Sequence, residues 1–223
     1  MSFKPPPSLM DPEDSFSAET VPDTLAQREQ FYSSLISTQE LDVGKVRRYS
    51  RKGIPENLRP VYWKLLLGYL PRHPRDWDKV LREKRAHYRQ FVSDCNQLKD
   101  DGTIETETRN EDIHRIDLDI PRTMPSLHFF ACEATEMKQG VPVVFSPNQE
   151  SLRRVLHTMA KLNIGIGYVQ GMNELVGHLL FAFSNEKTRL EPMDVEADVF
   201  FCFQGLLTNI SDNFCRVLDF DNT

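Results

Sequence analysis

The chain has 223 residues, a formal net charge of −6 and 39% hydrophobic residues, enough for one large or two small domains with an apolar core. The acidic balance argues against a general nucleic-acid binder, which needs a basic surface to displace phosphate counterions. The densest basic stretches, 45–48 and 51–52, are too short to read as a membrane-binding stripe.

Residues 1–24 are rich in Pro, Ser, Asp and Glu. They lack the apolar surface to offset chain entropy and are expected to form a disordered tail. They hold no apolar h-region, so they do not read as a signal peptide. From Thr24, the residues Leu25, Phe31, Leu35 and Ile36 fall on one helical stripe, and a short segment follows at 41–46. Residues 25–48 therefore read as flanking helices. Gly53-Ile54-Pro55 stops them. Pro60 then suits the first turn of a helix that carries Val61, Trp63, Leu65, Leu66, Leu67 and Leu70 and ends at Pro71.

The clearest helix covers 76–100. Asp76 is placed to cap it, and Trp77, Val80, Leu81, Tyr88, Phe91, Val92 and Cys95 recur at three- and four-residue steps. Asp100-Asp101-Gly102 marks a turn. Residues 110–125 read as an irregular connection with a short helix at 113–119. A short apolar helix or loop covers 127–134, and a loop covers 140–147, with 141–145 packing inward. A helix at 148–162 stops at Asn163-Ile164-Gly165-Ile166-Gly167, where glycine supplies left-handed angles. Helices at 169–183 and 194–208 follow, and a last one at 211–218. No segment alternates as a strand does and no repeat is present, so the fold class is all-α.

No apolar run approaches the roughly 20 residues of a membrane span. The cysteines, Cys95, Cys132, Cys202 and Cys215, form no CxxC pair and read as free, reduced thiols. A soluble, cytosolic protein is the expectation. The six histidines show no metal-ligand spacing, so no metal site is expected. No G-x-S-x-G or G-x-x-x-x-G-K-[ST] pattern occurs either. If the chain acts on a nucleotide, a partner holds it.

Two segments carry more specific chemistry. In the first, Pro121 stiffens the chain beside Arg122, and Asp119 is near enough to orient the guanidinium. An arginine held this way suits another molecule's phosphate site. On spacing alone, pairing with Asp119 or Asp117 to hold the loop accounts for Arg122 better. In the second segment, Gln170 precedes Gly171 at a helix start, with Met172, Leu175, Val176 and Leu179 facing a core. Its amide can donate to a phosphate oxygen and accept from a water. A polar first turn with glycine used for packing explains it slightly better by pattern alone. Asp117-Leu118-Asp119 lacks the buried strand end that a phosphatase needs. Arg59, four residues before Trp63, is placed to lie on the indole face or to tie its helix to a neighbour, a structural role.

Together these residues resemble the TBC domain, the family of GTPase-activating proteins for Rab GTPases. Gly53-Ile54-Pro55, Arg59, Trp63 and 66–68 look like its opening pattern. Ile116, Asp119 and Arg122 match its I-x-x-D-x-x-R motif, and Tyr168, Gln170, Gly171, Met172 and Leu175 its Y-x-Q-G-M…L motif. Residues 196–203 are similar to a later helix. The resemblance implies a multi-helix array and two fingers supplied in trans: Arg122 to neutralise transition-state charge and Gln170 to orient the attacking water. Asp119 would position Arg122, Tyr168 and Gly171 would support the Gln170 segment, and Gly53, Pro55, Arg59 and Trp63 would be structural. GTP and Mg²⁺ would belong to the partner, a GTP-bound Rab, which would recruit the protein from the cytoplasm to endomembranes in vesicle trafficking. The family domain runs on beyond residue 223, so 49–223 is expected to be its N-terminal part. The alternative is a non-catalytic fragment acting only as an interaction module.

Overall fold

The structure, a computed structural model, describes residues 24–96, 98, 99, 103, 110–131, 137, 138, 141, 142, 144–185 and 190–218. Residues 1–23 of the tail read at the N-terminus and the turn at Asp100-Asp101-Gly102 lie outside the described residues; Thr24, read as the last residue of the tail, belongs to the first helix as its cap.

Thr24 starts α1 (Leu25–Ile36) with a capping box. Its hydroxyl accepts from the Gln27 N–H, and the Gln27 side chain accepts from the Thr24 N–H. Asp42 caps α2 (Val43–Ser50). Gly53 turns the chain at φ 95°, and Pro60 sits in the first turn of α3 (Arg59–Leu66) as its missing N–H favours. This helix ends before Pro71: Gly68, at φ 77°, closes it with a left-handed turn.

The long α4 spans Trp77–Cys95, shorter than the pattern suggests. Asp76 occupies its N-cap position but makes no side-chain cap bond, because a 3₁₀ turn (Pro74–Asp76) leads into the helix and holds Asp76 at helical angles. Asn110 caps α5 (Glu111–Asp119), and a 3₁₀ turn (Ile120–Arg122) carries it on. A further 3₁₀ turn covers His128–Phe130. Met137–Lys138 and Val141–Pro142 form a two-residue antiparallel pair, Met137 opposite Pro142. Of the inward-facing loop, Phe145 is buried while Val144 is exposed. Ser146 opens α6 (Pro147–Leu162) with a second capping box. Then come α7 (Met172–Ser184) and α8 (Pro192–Leu218), which is one continuous helix where the sequence suggests two.

These helices enclose two apolar cores. The larger draws on α4 to α8, with α8 lying across α4, α6 and α7. Gly205 lets α8 approach the end of α3 closely, since a Cβ there would collide with the Leu67 carbonyl oxygen. The smaller core is formed by Tyr32, Leu41, Val46, Tyr49, Ile54, Tyr62, Leu65 and Leu70, from α1, α2, α3 and their connections. Trp63 and Leu81 touch both.

Most charged groups inside the larger core are paired, as burial demands, although Glu150 Oε2 is buried without a hydrogen-bond partner. Asp198 accepts from Lys64 at 2.7 Å, from Arg85 at 2.8 and 3.0 Å and from Tyr69 at 2.7 Å. Glu196 accepts from Arg154 at 2.7 and 3.0 Å and from Tyr88 at 3.1 Å. Both sets fasten α8, and Asp198 ties it to α3 and α4 together. Burial pushes the Tyr69, Tyr88 and Cys202 groups up, so all three stay protonated at neutral pH.

Candidate functional site

The 3₁₀ turn after α5 presents Arg122, and the turn before α7 presents Gln170. Both side chains are exposed. Among the described residues, neither has a hydrogen-bond or ion-pair partner. The pairing of Arg122 with Asp117 or Asp119, which spacing alone favours, does not occur. Asp117 points into the core and Asp119 points at the other segment.

Asp117 is fully buried. It accepts from Arg153 at 2.8 and 2.9 Å and from His157 at 2.8 Å. Arg153 also bonds Glu150 at 2.9 Å and lies over the Phe145 ring, 4.3 Å from its centroid. Burial pushes the Asp117 carboxyl up, but the His157 and Arg153 bonds outweigh it and hold it below the usual range. Burial lowers His157 and outweighs the raising effect of Asp117, and the charges of Arg153 and Lys161 lower it further. A neutral His157 donating to Asp117 follows. This set fixes α5 on α6 and so fixes the base of the Arg122 turn.

Asp119 is held from both ends. The Tyr168 hydroxyl donates to its carboxylate at 2.9 Å, and the Thr123 hydroxyl donates to its carbonyl at 3.0 Å. Thr123 in turn accepts from the Asn173 amide at 2.9 Å. The Asn173 oxygen accepts from the Gly171 N–H at 3.2 Å and lies 3.1 Å from the Tyr168 hydroxyl. Tyr168, Asn173 and Thr123 are all buried. Burial first, and the Asp119 bond second, push the Tyr168 phenol far up, so it serves as a donor. Asp119 therefore steadies the arginine turn against the glutamine turn and does not grip Arg122 itself.

Glycine geometry sets the second segment. Gly171 adopts φ 101° as the N-cap of α7, so Gln170 stands on the turn before the helix and not on its first turn. Leu175 is exposed, against the expectation of a core position, while Met172, Val176 and Leu179 are buried. Gly177 faces the arginine segment: a Cβ there would lie 3.1 Å from Thr123 Cγ2 and 3.2 Å from Met124 Sδ. Met124, two residues past Arg122, holds φ 46°, a left-handed angle that costs a non-glycine residue free energy. Its N–H points to Glu174 Oε1 at 3.4 Å.

The other motif residues make packing and backbone contacts. Arg59 donates to the Ile54 carbonyl at 3.1 Å, tying α3 to the Gly53-Ile54-Pro55 turn instead of lying on Trp63. Pro55 is buried, and Trp63 packs near Phe183 with ring centroids 6.5 Å apart. Among the described residues, no cluster of three or more His, Cys, Asp or Glu could hold a metal. No helix there is long and apolar enough to cross a membrane.

An all-α array offering one arginine and one glutamine from two mutually braced turns is thus the class of domain present. Residues 56–219 match the Rab-GTPase-TBC domain family, and the chain belongs to it. It is similar to TBC1 domain family member 13 of Mus musculus, 28% identical over 84% of this chain and 67% of that protein. TBC1 domain family member 22B of Homo sapiens is 32% identical over 82% of this chain and 35% of that protein. The GTPase-activating protein GYP1 of Saccharomyces cerevisiae is 31% identical over 81% of this chain and 28% of that protein. Among solved structures, the Ypt/Rab-GAP domain of Gyp1p superposes with a TM-score of 0.66 at 28% identity, over 86% of this chain and 59% of that one.

Proposed function

We propose that the protein is a GTPase-activating protein for a Rab-family GTPase in its GTP-bound state. The observation that carries the reading is that Arg122 and Gln170 are exposed and unpaired on turns joined by the Tyr168–Asp119 and Asn173–Thr123 bonds. An arginine kept free of internal carboxylates is available to one partner only, the one that docks on it. Its planar fork matches charge spreading over phosphoryl oxygens, and Gln170 holds the attacking water in line. GTP and Mg²⁺ are bound by the GTPase, and this chain adds the two side chains. Acting so, the protein is cytoplasmic, is recruited to endomembranes through its partner, and controls vesicle trafficking. The names of the family and of the yeast relative support this reading.

Single-turnover GTP hydrolysis across a panel of Rab GTPases tests it. The protein should accelerate at least one of them. Arg122→Ala should reduce that acceleration by roughly 10³-fold or more, the usual worth of an arginine supplied in trans. Full acceleration by Arg122→Ala refutes the proposal. Binding without acceleration, unchanged by Arg122→Ala and Gln170→Ala, identifies an interaction module instead.

A further inference from the structure

The large hydrophobic side chains that remain exposed are not scattered. Among the described residues, Leu25, Leu98 and Val144 stand apart, and the other five are Leu162, Ile164, Ile166, Val169 and Leu175. These five lie within fourteen positions of the chain and bracket Gln170 on both sides. Ile164 is 87% exposed and Ile166 51% exposed, on a loop that packs neither isoleucine inward. Single exposed hydrophobics are ordinary, whereas several exposed along one loop and the helix turns on either side of it point to an interaction surface.

The chemistry of this set selects the kind of partner. Residues 162–173 contain no charged side chain; Lys161 and Glu174 close the stretch at its two ends, and the Asp112 carboxylate lies against Gly167 and accepts from the Tyr168 N–H, so the isoleucine loop itself holds no cation for the phosphates of a nucleic acid or an anionic lipid headgroup. Continuity with Gln170 then fixes where the partner lies. Whatever receives the glutamine must cover the rim at the same time.

We propose that Ile164, Ile166, Val169 and Leu175 form an apolar docking rim around Gln170 that binds the uncharged surface of a GTPase beside its nucleotide. The inference rests on the proposed GTPase-activating function and adds the surface that supplies affinity. The segments of a GTPase beside its nucleotide are ordered by the γ-phosphate and released on hydrolysis. A rim seated on them therefore prefers the GTP state and lets go of the product.

The test titrates the protein against a responsive Rab in single-turnover hydrolysis, comparing wild type with Ile164→Ser/Ile166→Ser and with Leu25→Ser, an exposed position on α1. The double variant should raise the half-saturating concentration roughly tenfold or more, the worth of about one buried isoleucine. The maximal rate should stay near wild type, and Leu25→Ser should change neither. If the double variant loses its thermal unfolding transition, Val169→Ser takes its place. An unchanged half-saturating concentration overturns the proposal. So does a wild-type dimer in gel filtration that the substitutions dissolve with no effect on the GTPase, since the occupant is then a second copy. Phospholipid vesicles that bind wild type but not the double variant, again with the GTPase response intact, overturn it as well. A wild type that accelerates no Rab but binds a GTP-loaded one through these isoleucines keeps the rim and removes the catalytic reading. If it neither binds nor accelerates, both fall.

Discussion

Asp119 takes a different part from the one its spacing suggests. Three residues from Arg122, it reads as a clamp on the guanidinium; the structure turns it towards Tyr168 and leaves Arg122 unpaired. The arginine is thereby kept available, and the bond that matters runs between the two turns. Tyr168→Phe removes that bond and strands the Asp119 carboxylate. It should cost about 1–3 kcal/mol in urea unfolding and lower the maximal rate of GTP hydrolysis while leaving the half-saturating concentration alone. A purely local packing role for Tyr168 would leave the rate untouched. Gly177 sits against the same brace. Alanine there gains about 1 kcal/mol in helix propensity but presses on Thr123 and Met124. Gly177→Ala should leave stability within about 1 kcal/mol of wild type yet slow the maximal rate by roughly tenfold or more, since small displacements of a catalytic group are expensive. Retention of the full rate would mean the Arg122 turn has slack.

Among the elements, periodicity and punctuation made most helices legible. Pro60, the Thr24 and Ser146 caps and the apolar stripes of α4 and α6 are local signals, and the structure follows them. The start of α7 was not legible in this way, because the apolar pattern runs through Val169 while the left-handed Gly171 delays the helix to Met172. Thr123 and Asn173 gave no signal as a pair, being 50 residues apart in the chain. Buried charges are harder still. Arg153 in α6 carries no local sign of burial, since its partner Asp117 lies 36 positions earlier. That pairing makes α5 and α6 pH-sensitive in one direction. The folded-state pKa of His157 lies below its ordinary 6.5, so below that pH the unfolded chain binds more protons than the folded one. The contribution is complete above about pH 6.5 and is lost as pH falls through the folded value, with a slope of up to about 1.4 kcal/mol per pH unit. Unfolding free energies at pH 7.5 and 5.5 should fall in wild type and fall less in His157→Gln, which keeps an N–H for Asp117. Equal losses in the two proteins would assign the acid sensitivity elsewhere.

The molecule as a whole is a large core that carries the site and a smaller one that does not. The larger core is fastened by the Asp198, Glu196 and Asp117 sets, which tie α3, α4, α5, α6 and α8 together. The smaller is a cluster of tyrosines and aliphatics, with the Tyr62 hydroxyl donating to the Tyr32 carbonyl and Arg28 to the Lys52 carbonyl. Among the described residues, the Asp198, Glu196 and Asp117 sets do not reach α1. Structural stability is distributed unevenly under such conditions, and a layer with fewer buried ties opens first. Backbone amides of α1 should therefore exchange with deuterium well before those of α6, and uniform protection of the two helices would contradict this. The same unevenness turns α1 into an internal clock. Its exchange reports on the small core alone, so a GTPase that docks on the Arg122 and Gln170 turns should slow deuterium uptake at the ends of α5 and α7 while α1 keeps its pace. Contact at the site and general tightening of the fold thus leave separate traces in one recording.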